Sequence, residues 1–448
     1  MGIQQIIFIL VTGIAFFFAA KQFGRIRKTI NLGKDYDTSG STADRWKETL
    51  LIAFGQKKMF KRWIPAILHG FIYVAFLFTQ IELIEILIDG VFGVHRFFAG
   101  GLGVFYTLII SSIEVLSFLA LVATVIFLWR RNLLKLPRLH KSEMNGWPTL
   151  DANIILILEI FLVCAIFMMN GADVLLQELN PTYFPDTGTL PISSWLGPAL
   201  FGGLSESSLM VVERVGWWMH ILTVLAFLNY LPISKHLHIL LAFPNVFFAK
   251  RSSRGEMENM PEIMTEVKSM MGLIPETEVD MDAEIPEFGA KDVMDLDWIN
   301  VMGAMTCTEC GRCTDVCPAN TTGKKLSPRK VMMDIRDRAT EIMTHIESGK
   351  EEYKTDATKP LDKTNYTDGK SLFDLISKEE LHACTTCNAC VEACPVMINP
   401  LEPILAMRRY EILTDSAGPA DWLPMFTSIE NSGSVWQVPD SREDWINK

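Results

Sequence analysis

Apolar residues run almost unbroken through five stretches of the first half of the chain, at about 3–23, 64–88, 102–128, 152–170 and 214–241. A helix that crosses a bilayer needs roughly 20 mostly apolar residues, because lipid offers no partner for an exposed backbone N–H or C=O. Each stretch is therefore predicted to span a membrane. The first lacks the basic start and small-residue cleavage site of a signal peptide and reads as a retained helix. After residue 250 the pattern changes. Over Ser327–Ser348, Val331, Ile335, Ile342 and Ile346 recur on a helical period with polar residues between them, the mark of a one-sided helix in water. The predicted fold is mainly α, with a membrane domain over 1–250, an acidic linker over 251–300, a helical domain over 301–415 and a tail over 416–448.

Charge follows the same division. The 448 residues carry a net charge of −11, with 49% apolar and 21% charged residues. Residues 1–250 hold 20 Lys+Arg against 16 Asp+Glu, and residues 251–448 hold 21 against 36. So acidic a soluble half argues against nucleic-acid binding, which needs clustered positive charge. Within the membrane half, segment 21–63 has 11 Lys+Arg and segment 129–151 has five, whereas 89–101 has only Arg96 and 171–213 has none. Positive loops stay in the cytoplasm. The N-terminus is thus expected outside and the acidic half in the cytoplasm, on the inner membrane if the cell is bacterial. The end of the long outer loop, Ser207 to Met219, is expected to lie along the interface.

Ionisable residues inside spans are costly and are functional candidates. His69 lies near the cytoplasmic end of the second span, and His236 and His238 lie near that end of the fifth. Eighteen residues make five helical turns, which places His220 and His238 on one face about 27 Å apart and turns His236 away. His69 and His238 thus share a depth on two helices, as the two axial ligands of a b-type haem do. The alternative for each is a hydrogen bond to a neighbouring helix. His220 lies near the outer side, where His95 is the other histidine at that depth. A second haem between them, a quinone pocket and a structural role all stay open. Glu82, Glu85, Glu114 and Glu159 also fall in spans; Glu114 is either a proton relay or a carboxyl bonded to a neighbouring helix.

The cysteines carry the sharpest signal. Cys307, Cys310, Cys313 and Cys317, followed by Pro318, match C-x2-C-x2-C-x3-C-P, and Cys384, Cys387, Cys390 and Cys394, followed by Pro395, repeat every spacing. In this pattern the fourth cysteine of each run ligates the other cluster. The expected ligand sets are Cys307, Cys310, Cys313 and Cys394 for one [4Fe-4S] cluster, and Cys384, Cys387, Cys390 and Cys317 for the second. Structural zinc commonly takes two CxxC pairs and does not call for this run twice. Cys164, alone in a span, reads as a buried small hydrophobe. The chain shows no flavin fingerprint, nucleophile–base constellation or phosphate loop.

The stretch Trp217-Trp218-Met219-His220 through Leu231-Pro232-Ile233-Ser234-Lys235-His236-Leu237-His238, with His69-Gly70-Phe71 ahead of it, resembles the nitrate reductase gamma-like cytochrome b. With Phe288-Gly289-Ala290 and the cysteine runs, the chain resembles the membrane iron–sulfur fusions of the heterodisulfide reductase-related family. The resemblance implies a five-helix transmembrane cytochrome b bundle followed by an α-helical ferredoxin domain, b-type haem, two [4Fe-4S] clusters and exchange with a quinone, typically menaquinone. That cytochrome has two histidines on its second span, where only His69 stands here. Larger members continue into a CCG-motif domain, and Asp440 to Trp445 resembles the junction before it. The expectation is an electron-transfer subunit between quinone, haem, clusters and a separate cytoplasmic CCG-domain or flavoprotein chain. The rival reading is a membrane-anchored iron–sulfur redox sensor or cofactor-maturation protein.

Overall fold

The computed structural model describes residues 2–38, 40–251, 255–274, 287–436 and 446. Residues 275–286 of the acidic linker and Asp440 to Trp445 of the tail lie outside the described residues. Among the described residues there are helices and turns, two isolated bridges and no β-strand. Five helices are long and apolar enough to cross a membrane: α1 (Ile3–Ile30), α2 (Trp63–Phe92), α3 (Val104–Asn132), α4 (Trp147–Leu179) and α6 (Glu206–Tyr230, continuing as a tight turn to Ile233). Between α4 and α6 a short helix, α5 (Ser193–Phe201), covers one end of the bundle. With lipid as solvent, such helices associate through close packing, which small residues permit. Gly216 of α6 shows this, because a Cβ there would stand 2.7 Å from the Met169 backbone nitrogen of α4.

Two expectations for the fifth span do not hold. Residues 207–219 do not form a separate interfacial segment; they are the first turns of α6. The predicted span 214–241 is also not one helix. Pro232 has no N–H to donate and its ring crowds the carbonyl of the preceding turn, so α6 stops at Tyr230. Two tight turns follow, at Leu231–Ile233 and Lys235–Leu237, before α7 (His238–Phe248) begins. Asp151, at the start of α4, holds this break. Its carboxylate accepts a hydrogen bond from Tyr230 Oη at 2.6 Å and another from the Lys235 backbone N–H at 3.0 Å.

A small amphipathic helix, α8 (Pro261–Met270), occupies the described part of the linker. The soluble domain starts before residue 301. Ala290, Val293 and Leu296 are buried in one core with Val301, Val331, Ile335, Ile342, Leu372 and Met407. The end of the expected linker is therefore part of this domain, because its apolar residues fill the space between α9 (Trp298–Thr306), α10 (Pro328–Ser348) and α11 (Leu401–Arg409). The Ser327 side chain caps α10 by accepting from the Lys330 N–H. A last helix, α12 (Trp422–Ser432), follows.

The two domains are fastened on the side of the basic loops. Arg25 pairs with Glu347 at 3.0 Å, Arg62 with Asp315 at 2.5 Å, and Lys61 with Glu392. Beyond α1, the Lys34 N–H bonds the Leu296 carbonyl at 2.8 Å and the Trp298 N–H bonds the Lys34 carbonyl at 3.0 Å.

Inside the soluble domain Arg338 is 1% exposed and binds Asp292 at 2.6 Å, Asp368 at 2.6 Å and Glu341 at 3.0 Å. Burial would raise the Asp368 carboxyl, but the hydrogen bonds from Arg338, the Lys370 N–H and Tyr366 together, with the charge of Arg338, hold the group well below the usual carboxylate range. Removing one partner of a buried charge cluster leaves the others uncompensated. Arg338→Met is expected to cost roughly 3–5 kcal/mol, seen as a lower denaturant midpoint by tryptophan fluorescence of the detergent-solubilised protein.

Candidate functional site

The two cysteine runs adopt the same local shape. Glu309 and Thr386, each just before the second cysteine of its run, have φ of 53° and 55°, and Gly311 and Asn388, just after it, have φ of 72° and 60°. Left-handed backbone at both positions curls each loop around a centre, and Gly and Asn are the residues that tolerate it best. Gly311 is further constrained, because a Cβ there would stand 2.6 Å from Arg329 Nη1. Backbone amides turn toward the sulfurs: the Thr386 N–H faces Cys384 Sγ at 3.4 Å and the Ile398 N–H faces Cys394 Sγ at 3.3 Å.

The folded chain crosses the runs over. One cavity is lined by Cys307, Cys310, Cys313 and Cys394, with Arg312 and Arg329 beside them. The other is lined by Cys317, Cys384, Cys387 and Cys390. The fourth cysteine of each run thus stands in the other run's cavity, and the thiols wall a volume instead of converging on a point. This donor set fits a cubane cluster. Burial pushes the Cys307 and Cys390 thiols up to about 12 and Cys394 up to about 11. At these three positions burial favours the neutral thiol, and a thiolate there needs the positive charge of bound iron. Cys387 is exposed, whereas Cys307, Cys317, Cys390 and Cys394 are buried. Cys164 is exposed on the outside of the bundle and not buried as expected; a thiol is apolar enough to face lipid.

On the membrane side, the rings of His69 and His238 stand 6.5 Å apart between centroids. Two imidazoles sharing one metal through bonds of about 2 Å have ring centres about 6 Å apart. Each ring also has its far nitrogen engaged: His69 Nδ1 meets Gln56 Oε1 at 3.0 Å, and His238 Nδ1 meets the Lys235 carbonyl at 2.9 Å. A proton on Nδ1 leaves the Nε2 lone pair for a metal, the usual arrangement of a ligating histidine. These residues fit the axial positions of a haem. His236 does not point away as helical spacing predicts. Its ring lies 5.8 Å from that of His238 and 5.7 Å from Phe227, because the helix has already broken before it.

His220 and His95 are not brought together as ring partners. His220 is buried, and its Nδ1 has no hydrogen-bond partner among the described residues. His95 gives its ring to Asp173 at 3.1 Å and packs edge-on against Phe184. The intramembrane acids find partners in the fold. Glu114 accepts from the Ile192 and Ser193 N–H groups at 2.9 and 3.2 Å and holds the start of α5. Glu85 binds Tyr106 Oη at 2.7 Å, Glu159 accepts from Thr124 at 3.0 Å, and Glu82 lies 3.7 Å from Arg96. Arg96 also bonds Asn170 at 2.6 Å and Asp173 at 3.2 Å.

Several residues around the two centres escape sequence reasoning. Gln56 and Lys235 bond the histidines, Arg312 and Arg329 line the cavity of Cys307, and Glu309 pairs with Lys235. Arg312 donates to the Lys58 and Met59 carbonyls, each at 3.3 Å. Arg329 donates to the Arg138 carbonyl at 2.6 Å and pairs with Glu143 at 2.7 Å. The available signal was weak: charged residues placed between or beside the ligands themselves, at Glu309, Arg312 and Lys235.

Residues 306–398 match the 4Fe-4S dicluster domain. Among curated proteins, the chain is 28% identical over 466 residues to a "Probable iron-sulfur-binding oxidoreductase FadF" of Bacillus subtilis, with 99% of this chain and 60% of that protein aligned. It is 25% identical over 420 residues to an "EtfAB:quinone oxidoreductase" of Syntrophomonas wolfei, covering 91% of this chain and 54% of that one. A "Probable membrane-anchored ferredoxin" of Chromohalobacter salexigens is 31% identical over 174 residues, 37% of this chain and 25% of that protein. The chain spans somewhat more than half the length of the first two relatives. No solved structure matches it. The domain match supports iron–sulfur clusters in residues 306–398, and five helices are long and apolar enough to cross a membrane. Cys394→Ala is expected to disable the cavity of Cys307 while the other keeps its four thiols. Bound iron and acid-labile sulfide should then fall by about half, measured by chemical analysis of the anaerobically purified protein.

Proposed function

We propose that the chain is the electron-transfer subunit of a quinone-linked oxidoreductase. It passes electrons between a membrane quinone such as menaquinone, a b-type haem on His69 and His238, two [4Fe-4S] clusters and a redox partner on the cytoplasmic side. The observation that carries this reading is the imidazole pair, each ring engaged through its Nδ1, against the domain whose eight cysteines form two crossed sets. Similarity to a protein named EtfAB:quinone oxidoreductase supports the quinone. The resemblance to nitrate reductase gamma-like cytochromes supports the haem. When bound, haem and clusters supply one-electron carriers, and the protein supplies position and tuning.

The residues give this role a direction in space. Cys307, Cys310, Cys313 and Cys394 form the set on the membrane side, because Arg312 and Arg329 of the same cavity bond the loops around Met59 and Arg138. Cys317, Cys384, Cys387 and Cys390 form the set that reaches the surface, through exposed Cys387. The membrane-side set has Cys307 and Cys394 buried and Cys310 and Cys313 half-buried, whereas exposed Cys387 of the other set leaves an edge for a soluble partner. The excess of Lys and Arg in the loops on this side supports a cytoplasmic position for this edge. The partner is proposed to be a separate CCG-domain or flavoprotein chain. A sensor or maturation protein has no need of an imidazole pair arranged in this way.

The test is the absorption spectrum of the purified protein. Reduction should give a b-type haem band in the wild type, and His69→Ala and His238→Ala should each abolish it while iron–sulfur content is kept. Menaquinol analogues should reduce the clusters of the wild type and not of these variants. A wild type without the band would sink the proposal.

A further inference from the structure

Two polar bridges join the loop around Cys310 to the two imidazoles. On one side Arg312 donates to the Lys58 and Met59 carbonyls, and that turn opens at Gln56, whose side-chain oxygen meets His69 Nδ1 at 3.0 Å. On the other side a single residue makes the whole connection. Lys235 offers its carbonyl to His238 Nδ1 at 2.9 Å, while its ammonium reaches the Glu309 carboxylate, between Cys307 and Cys310. The ammonium also bonds the Pro148 carbonyl at 2.6 Å and lies 3.8 Å from Asp151. The Lys235 side chain is 9% exposed and that of Glu309 is 2% exposed. Glu309 also takes Arg336 at 2.7 Å, so two cations face one carboxylate beside the cavity.

A buried ammonium is costly, and a surface lysine would serve adhesion between the domains as well. A buried one with its backbone on one cofactor ligand and its charge on the loop of another does more. We propose that Lys235 is a positioning residue that registers the haem-binding His238 against the membrane-side cluster and raises that cluster's tendency to accept an electron. The proposal rests on the haem and cluster reading above. Its physical basis is that a fixed positive charge at short range in a low-dielectric setting favours the more negative, reduced state of a nearby centre. Glu309 moderates the effect and holds the ammonium in place.

The experiment is an EPR-monitored redox titration of the full-length holoprotein, with the membrane-side cluster assigned by the Cys394→Ala variant. Lys235→Met keeps the backbone carbonyl, so its haem spectrum and iron content should equal those of the wild type. The midpoint potential of the membrane-side cluster should fall, and Lys235→Arg should restore most of it. Glu309→Gln leaves Lys235 in place and removes the negative charge, so its shift should have the opposite sign. An unmoved potential in Lys235→Met with intact cofactors overturns the proposal. If that variant loses its clusters, Glu309→Gln decides by the same criterion. Cluster loss in both variants would assign these residues a folding role only and would also overturn it. A wild type lacking the b-type band strikes the parent reading, whereas the cluster potential is measured independently of that band.

Discussion

The break in the chain after Tyr230 is the constraint on which the rest of the redox region depends. An uninterrupted helix would carry Lys235, His236 and His238 around its circumference at fixed angles. Pro232 ends the helix by withholding an N–H, and Asp151 stabilises the break with hydrogen bonds from Tyr230 and the Lys235 backbone. The two turns that follow bring His238 beside His69 and aim the Lys235 ammonium at the soluble domain. An aliphatic residue at 151 would leave the Lys235 N–H to find another acceptor in a buried setting.

Charge then decides how the halves meet. The basic loops of the membrane half, with Lys235 and Lys250, are its contact surface, because the acidic domain offers carboxylates to Arg25, Lys61, Arg62, Lys235 and Lys250. The partly exposed pairs contribute little each, on the order of 1 kcal/mol or less. The buried ones at Lys235 and Arg329 fix registry, and they lie at the cavity of Cys307. At the opposite end Arg96 serves a different purpose. It gathers carboxyl and amide groups of α2 and α4 that are buried inside the bundle.

Much of the fold was legible. Five apolar stretches, alternating positive loops and an amphipathic run from residue 327 to 348 were local patterns, and local patterns survive without a structure. The crossed grouping of the cysteines was legible for another reason: where the spacing C-x2-C-x2-C-x3-C-P occurs twice, the fourth cysteine of each run belongs with the other run. The stretch from 214 to 241 was read as one span because its apolar run continues past Pro232, whereas Asp151, far away in sequence, holds the chain in turns there. Cys164 was misread because an apolar span does not reveal which of its faces meets lipid.

By itself, then, the sequence determined the division into an apolar bundle and an acidic domain, the α-helical class, and the eight cysteines in two crossed sets. These follow from composition, period and spacing, which act along the chain. Only the tertiary structure decided that His236 stays near His238, that Glu114 caps a neighbouring helix, and that Lys235 links a histidine to a cysteine loop. Each of those rests on a buried polar group that must find a partner, and which partner it finds depends on segments brought together from distant parts of the chain.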